Sequence, residues 1–192
     1  AETDWRNFRM TRVPRPICFA LAGCVLSSLM ATTAAAHGDH GASTSPFLDG
    51  LLHPLTGLDH LLVIILTGAF AACLRGRSQL AVPAVFTTMM LAGFVAMRFL
   101  APFAPLESMI MLSLFGMAAL LFVPDRVGGT AILFVGVFGT IHGMAHGIEA
   151  PSLGALPFAI GMVTATGLLQ LVAFAGSRGV RSNLARLSRH IT

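Results

Sequence analysis

The 192-residue chain contains no lysine or tyrosine and only one tryptophan, and charged residues make up just 10% of it. A soluble domain averages about 25% charged residues, so too few charges are present to cover a surface that faces water. Hydrophobic residues account for 55% of the chain and the mean hydropathy is +0.81. The apolar residues also occur in long runs rather than short alternating segments. The composition excludes an ordinary soluble domain and predicts a membrane protein.

The absence of lysine also bears on the high isoelectric point of about 10.2. All 12 basic residues are arginines, and they stand at the ends of apolar runs. This distribution is typical of membrane topology signals and not of a surface that binds phosphate groups. We therefore expect the lipid bilayer, and no nucleic acid, as a partner. Three cysteines form no disulfide or metal-binding framework, and we expect them to pack as small apolar residues.

Residues 1–36 have the pattern of a leader. From Met10 the chain reads as a short basic region, an apolar stretch over residues 17–30 and an Ala-x-Ala site ending at Ala36. This pattern predicts a cleavable signal peptide, with residues 1–9 as an upstream extension and His37 as a mature N-terminus outside the cytoplasm. An uncleaved anchor helix and a lipoprotein cleavage box at Cys24 are the alternatives.

Beyond the leader, five apolar runs are long enough to cross a bilayer, which takes about 20 residues each. The sequence therefore predicts an all-α membrane protein, a bundle of about five transmembrane helices after the signal peptide. The expected spans are 51–74, 79–100, 106–123, 129–149 and 154–176. They lie within a transmembrane domain over 51–177, between a His-containing segment over 37–50 and a basic tail over 178–192.

The arginines predict the orientation of these helices. With the mature N-terminus outside, only Arg98 lies on the outer side, and seven arginines lie on the inner side. The seven are Arg75, Arg77, Arg126, Arg178, Arg181, Arg186 and Arg189. This positive-inside bias predicts a multi-pass protein of the bacterial inner membrane, with a periplasmic N-terminus and a cytoplasmic C-terminus. We expect the tail to lie as a helix on anionic lipid or to be solvated.

Titratable side chains within apolar helices are costly and usually mark a function. The first motif, residues 53–60, reads HPLTGLDH. His53 and His60 are seven residues apart and are predicted to share one face of one helix, with Asp59 beside His60. Pro54 suits a first helical turn, and Gly57 allows close approach of another helix or a ligand.

The second motif, residues 142–149, reads HGMAHGIE. His142 and His146 are spaced i, i+4, and Glu149 follows His146 by three residues, so all three are predicted to lie on one stripe of a helix. Met144 points elsewhere and is interpreted as a packing residue. The stripe presents imidazole and carboxylate groups to a single ion.

The predicted topology places both motifs in the outer half of the membrane. Glu107 begins another helix at this face, where it is either a site residue or an N-terminal helix cap. His37 and His40 form either a loading site for the ion or part of a flexible linker. Imidazole and carboxylate ligands suit Ni²⁺, Co²⁺ and Zn²⁺. Gln170, inside the last span, is interpreted as an interhelical hydrogen bonder.

At these motifs the sequence resembles the HupE/UreJ family of nickel permeases associated with hydrogenase and urease. The family patterns HPxxGxDH and HGxxHGxExP are both matched, the second ending at Pro151, and the resemblance covers residues 37–176. It implies uptake of Ni²⁺, sometimes Co²⁺, as a transported ion, without a prosthetic group. The implied metal ligands are the motif residues His53, Asp59, His60, His142, His146 and Glu149.

Two other classes of protein fit parts of the pattern. An intramembrane zinc hydrolase would use three histidines as ligands and Asp59 or Glu149 as general base. It lacks support because no glutamate lies between His142 and His146, as it does in His-Glu-x-x-His enzymes. A bis-histidine haem electron carrier is the third class. We favour a permease, and not an enzyme.

Overall fold

The computed structural model describes residues 45–100, 106–122 and 128–191. This part of the chain is all-helical, with six helices and no strand. The predicted signal peptide, together with His37 and His40, lies outside the described residues. The helices are α1 (Pro46–Thr56), α2 (Leu58–Cys73), α3 (Ser78–Met97), α4 (Leu106–Leu120), α5 (Gly128–Glu149) and α6 (Ala155–Ile191).

The first predicted span is not one straight helix. It is divided into α1 and α2, whose axes meet at 81°. Gly57 between them has extended backbone angles, φ −101° and ψ 114°, and the Leu61 N–H donates to the Gly57 carbonyl at the start of α2. The prediction that His53 and His60 share a face of one helix was therefore wrong, because each lies on its own helix.

The position of Pro54 was also predicted wrongly. Helix α1 begins at Pro46, after an N-cap at Ser45 whose hydroxyl accepts from the Leu48 N–H at 3.5 Å. Pro54 lies near the end of that helix and not in a first turn. Proline supplies no N–H and crowds the preceding turn, yet the helix continues through Pro54 and ends two residues later, at Thr56.

Three described helices, α3, α5 and α6, are long and apolar enough to cross a membrane, and the bent pair α1–α2 passes the same test as one span. Helix α4 has 15 residues, or about 22 Å at 1.5 Å per residue, and is shorter than the predicted span 106–123. Exposed leucines such as Leu80, Leu112 and Leu133 cover the outside of the bundle. The chain is thus a multi-pass helical membrane protein with three to four candidate spans among its described residues.

Glycine allows α5 to lie directly against α3. A Cβ at Gly143 would come within 1.8 Å of the Met90 carbonyl oxygen, and one at Gly139 within 2.6 Å of the Phe86 carbonyl oxygen. Gly147 continues this stripe at the same spacing of four residues. Small residues at such a spacing let helices in a membrane approach backbone to backbone. The contact fixes the height of the second motif relative to α3.

Helix α6 forms the other side of the bundle and packs against α1 and α2. Gly50 lies against the Phe158 carbonyl, and Gly68 lies against the Gln170 carbonyl. The helix continues without a break from the apolar span into the predicted basic tail. There the Arg181 guanidinium donates to the Ala72 carbonyl near the end of α2, which satisfies one of the unpaired carbonyls of that helix terminus.

Candidate metal site

The second part of the first motif contributes a buried imidazole. His60, only 7% exposed, lies in the first turn of α2, and its Nδ1 is 2.9 Å from Oδ1 of Asp59. An ionised carboxylate only accepts hydrogen bonds, so Nδ1 carries a proton, and in the neutral ring Nε2 keeps the lone pair. That Nε2 atom is buried and has no hydrogen-bond partner among the described residues. Asp59 thus fixes the orientation of the His60 ring.

His142 of α5 has the same tautomer for a different reason. Its Nδ1 lies 3.0 Å from the Phe138 carbonyl oxygen, which can only accept, so Nδ1 donates. The Ser113 hydroxyl donates to the Ile110 carbonyl at 2.7 Å and stands 3.3 Å from the same nitrogen. Nε2 of His142 is likewise buried without a partner in the described structure. Two lone pairs are therefore held ready from two helices.

His53, His146 and Glu149 form a second, more accessible group. His53 Nε2 donates to Oε2 of Glu149 at 2.9 Å, and His146 Nδ1 lies 3.7 Å from the same oxygen. One ligand atom from each of the three residues lies within 4.8 Å of the others. The Glu149 side chain is 46% exposed and that of His146 only 1%. This group leads from the surface of the bundle to its interior.

The four imidazoles form one continuous cluster, called here the histidine cluster, with Asp59 and Glu149 at its edge. His146 lies between His53 and His60, with its ring centroid 4.9 Å from that of His53 and 4.6 Å from that of His60. The rings of His60 and His142 are 5.4 Å apart. The structure thus brings together six predicted site residues from motifs that are about 85 residues apart in the sequence.

The geometry gives different roles to Asp59 and Glu149, which were both predicted as metal ligands. Asp59 points at His60 Nδ1 and acts on the site through that ring, whereas Glu149 offers an oxygen to the site directly. Glu107 falls in the first turn of α4, but its side chain is outside the described part of the structure. No sequence signal connects Ser113 with His142, because the two are brought together only by the packing of α4 on α5.

Arg98 has a structural role at this end of the bundle. Its Nη1 donates to the carbonyls of Gly147 and Ala150, each at 3.3 Å. These carbonyls belong to the C-terminal turn of α5, which carries partial negative charge that a cation stabilises. Arg98, predicted as the only arginine on the outer side, therefore holds the end of the second motif in place.

The bundle and its histidine cluster define a multi-pass helical membrane protein with imidazole and carboxylate groups gathered between its helices. The family model described as HupE / UreJ protein matches residues 25–192, and the chain belongs to this family, as its motifs predicted. This is a transport and accessory family and not a known family of enzymes.

The chain is also similar to a named bacterial protein. The chain is 30% identical over 145 residues to Protein HupE of Rhizobium leguminosarum bv. viciae, covering 74% of this chain and 76% of the relative. No solved structure is significantly similar to the chain.

Proposed function

We propose that this protein carries Ni²⁺, or Co²⁺, across the bacterial inner membrane through the histidine cluster. The observation that carries the proposal is the convergence of four imidazoles with three buried ring nitrogens that have no hydrogen-bond partner among the described residues. These are Nε2 of His60, Nε2 of His142 and Nδ1 of His146. Buried polar atoms are nearly always paired, so three such nitrogens in one cluster favour a ligand that accepts their lone pairs.

The donor set selects the class of ion. Imidazole nitrogen with a carboxylate oxygen suits borderline divalent ions such as Ni²⁺ and Co²⁺, whereas soft thiolate ligands would favour Cu⁺. The accessible group of His53, His146 and Glu149 would receive the ion. Binding there displaces the proton shared by His53 and Glu149, so acid should weaken binding by competition. The ion would then pass along the ring of His146 to His60 and His142.

The proposed direction is inward, with the histidine cluster at the periplasmic face and the basic tail in the cytoplasm. His37 and His40 remain predicted loading ligands on the outer side. The zinc hydrolase is less well supported by the geometry. Asp59 is hydrogen-bonded to His60 and Glu149 to His53, so both carboxylates already orient imidazoles, which favours a positioning role over general-base catalysis.

The test is uptake of radioactive Ni²⁺ into proteoliposomes, with equilibrium binding of Ni²⁺ to the purified protein measured in parallel. His146→Ala removes the ring that joins both halves of the cluster. We expect Ni²⁺ affinity to fall by more than about 100-fold. Loss of a residue that only hydrogen-bonds to a metal ligand already lowers metal affinity by about 10–100-fold. Uptake should fall to the level of empty liposomes.

Met144→Leu is the matched control, because Met144 lies between the two histidines in sequence and packs with Ile110, Ile141 and Ala145. Its replacement conserves the apolar volume, and wild-type uptake is expected. Full uptake by His146→Ala at equal protein levels would contradict the proposed function. Lipid hydrolysis dependent on bound Zn²⁺ would support the hydrolase instead.

A further inference from the structure

Four described polar side chains other than the histidines are buried in the bundle, and they are not equally satisfied. They are Thr67, Ser113, Thr166 and Gln170. The Thr67 hydroxyl donates to the Val63 carbonyl at 2.8 Å, and Ser113 donates within α4. Such bonds to the preceding turn satisfy a hydroxyl inside its own helix. Gln170 has no equivalent arrangement.

The amide of Gln170 is 3% exposed and has one hydrogen bond. Its Oε1 accepts from the Thr87 hydroxyl of α3 at 3.3 Å, as the sequence predicted for an interhelical bond, while Nε2 has no partner among the described residues. The oxygen and nitrogen of an amide can exchange places by a flip. In either orientation one polar atom stays unpaired, and a buried group of this kind calls for a water molecule or a ligand.

Contacts on α6 and α3 show how deep this amide lies. Thr166, one turn before Gln170, donates to the Met90 sulfur at 3.9 Å. The Met90 carbonyl lies against Gly143, which follows His142 in the chain. Thr166 is therefore level with His142, and Gln170 lies one turn, about 5.4 Å, further from the outer end.

The neighbours of Thr87 and Gln170 also place this pair inward of the histidine cluster. The carbonyl of Phe86, next to Thr87, lies against Gly139, one turn inward of Gly143 on α5. The Gln170 carbonyl lies against Gly68 of α2, which is eight residues, or about 12 Å, beyond His60. Between these polar groups the bundle is filled by buried side chains such as Phe86 and Met90.

We propose that Gln170 and Thr87, the inner polar pair, form a second binding site for the hydrated divalent cation, which the ion occupies after it leaves the histidine cluster. This inference rests on the proposed function. An amide and a hydroxyl are neutral oxygen donors and bind Ni²⁺ more weakly than imidazole does. Permeation requires a site from which the ion can leave, and a weaker site on the inward side meets that need. With the amide flipped, so that Nε2 donates to the Thr87 hydroxyl, the free Oε1 would accept hydrogen bonds from the water shell of the ion.

The test is the double variant Gln170→Leu with Thr87→Val. Both partners are replaced by apolar groups of similar shape, which leaves no buried polar atom behind and is often nearly neutral for stability. We expect Ni²⁺ binding by purified protein to stay within about twofold of wild type, while uptake into proteoliposomes falls by about tenfold or more. Thr164→Val is the control, because Thr164 lies on the exposed face of α6 and donates to the Ile160 carbonyl.

Each result has one interpretation. Uptake equal to wild type would overturn the second site. Loss of Ni²⁺ binding together with a lowered melting temperature would show that the pair serves only to hold α3 to α6, and would overturn it as well. If the wild-type protein neither binds nor transports Ni²⁺, the proposed function fails, and this outcome is separate because it does not depend on the variant.

Discussion

The second motif lies within one regular helix, whereas the first is divided between two helices that meet at 81°. On α5 the i, i+4 spacing is enough to place His142 and His146 on one stripe. In the first motif, the break at Gly57 places His53 on α1 and His60 on α2. Their ring centroids are nevertheless only 6.1 Å apart. A straight helix would separate residues seven apart by about 10.5 Å along its axis. The bend thus brings together imidazoles that a continuous helix would hold at two depths.

The two motifs are also held in place by different means. The second is fixed by backbone contact, since Gly143 lies against the Met90 carbonyl. A methyl group added at Gly57 would instead meet side-chain atoms of His60 and Asp59 first, and not the backbone of another helix. We therefore expect glycine substitutions in the second motif to act on the fold and those in the first to act on ligand geometry.

Gly143→Ala should have the largest effect on the fold. Its Cβ would come within 1.8 Å of the Met90 carbonyl oxygen, so α5 must move away from α3. Overpacking typically costs about 1–3 kcal/mol, and we expect the upper end because the obstacle is backbone. At about 2–4 °C per kcal/mol for a chain of this size, the melting temperature in detergent should fall by about 6–12 °C, and Ni²⁺ binding should be lost on the same samples.

Gly129→Ala is the matched control on the same helix. A Cβ there meets nothing within 4 Å, and alanine is the better helix former, so the melting temperature should be unchanged or higher. If Gly143→Ala is as stable as this control, the helices do not pack as described, and the contrast between the motifs is lost.

Regular periodicity explains which parts of the structure the sequence could predict. The stripe of His142, His146 and Glu149 follows from helical spacing, and the convergence of two distant motifs follows from topology. The break at Gly57 was missed because each residue of the first motif is compatible with one helix that begins at Pro54. What decides between the two is packing of α1 on α6, where Gly50 lies against Phe158, and such a contact leaves no periodic signal.

Residues that contact the cluster from other helices were missed for the same reason. Ser113 is one polar residue in an apolar helix, and its approach to His142 depends on how α4 lies against α5. Gln170 was predicted to bond between helices, but neither its partner Thr87 nor the unpaired Nε2 atom could be predicted without the relative depth of α3 and α6.

Asp59→Asn tests the side-chain bond that orients the first motif. An asparagine can still accept from His60 Nδ1, but without a negative charge the bond is weaker, and the tautomer of His60 is less firmly fixed. Loss of such a partner costs about 10–100-fold in metal affinity, and for this conservative change we expect about tenfold weaker Ni²⁺ binding with an unchanged melting temperature. Asp49→Asn, in the first turn of α1, is the control for loss of a nearby charge. Equal Ni²⁺ affinities in the two variants would show that Asp59 does not orient His60.

Gly57→Ala should have the smallest effect. It should lower Ni²⁺ affinity without lowering the melting temperature, and so it separates ligand geometry from stability. The backbone angles of Gly57 are allowed for alanine, so the fold should keep its melting temperature or gain slightly from a less flexible unfolded chain. The new methyl group, however, would lie 3.0 Å from His60 Nδ1 and 3.1 Å from Asp59 Oδ1. Both side chains must shift by a few tenths of an ångström.

We therefore expect Ni²⁺ affinity to fall by about three- to tenfold, less than the loss on removing an orienting partner outright. Gly167→Ala, on α6 with open space around it, should leave both affinity and stability close to wild type. A melting temperature that falls as far as that of Gly143→Ala would mean that the bend is held by backbone packing after all. The two motifs would then be fixed in the same way, and the 81° break would be part of the rigid scaffold and not an adjustable part of the ligand shell.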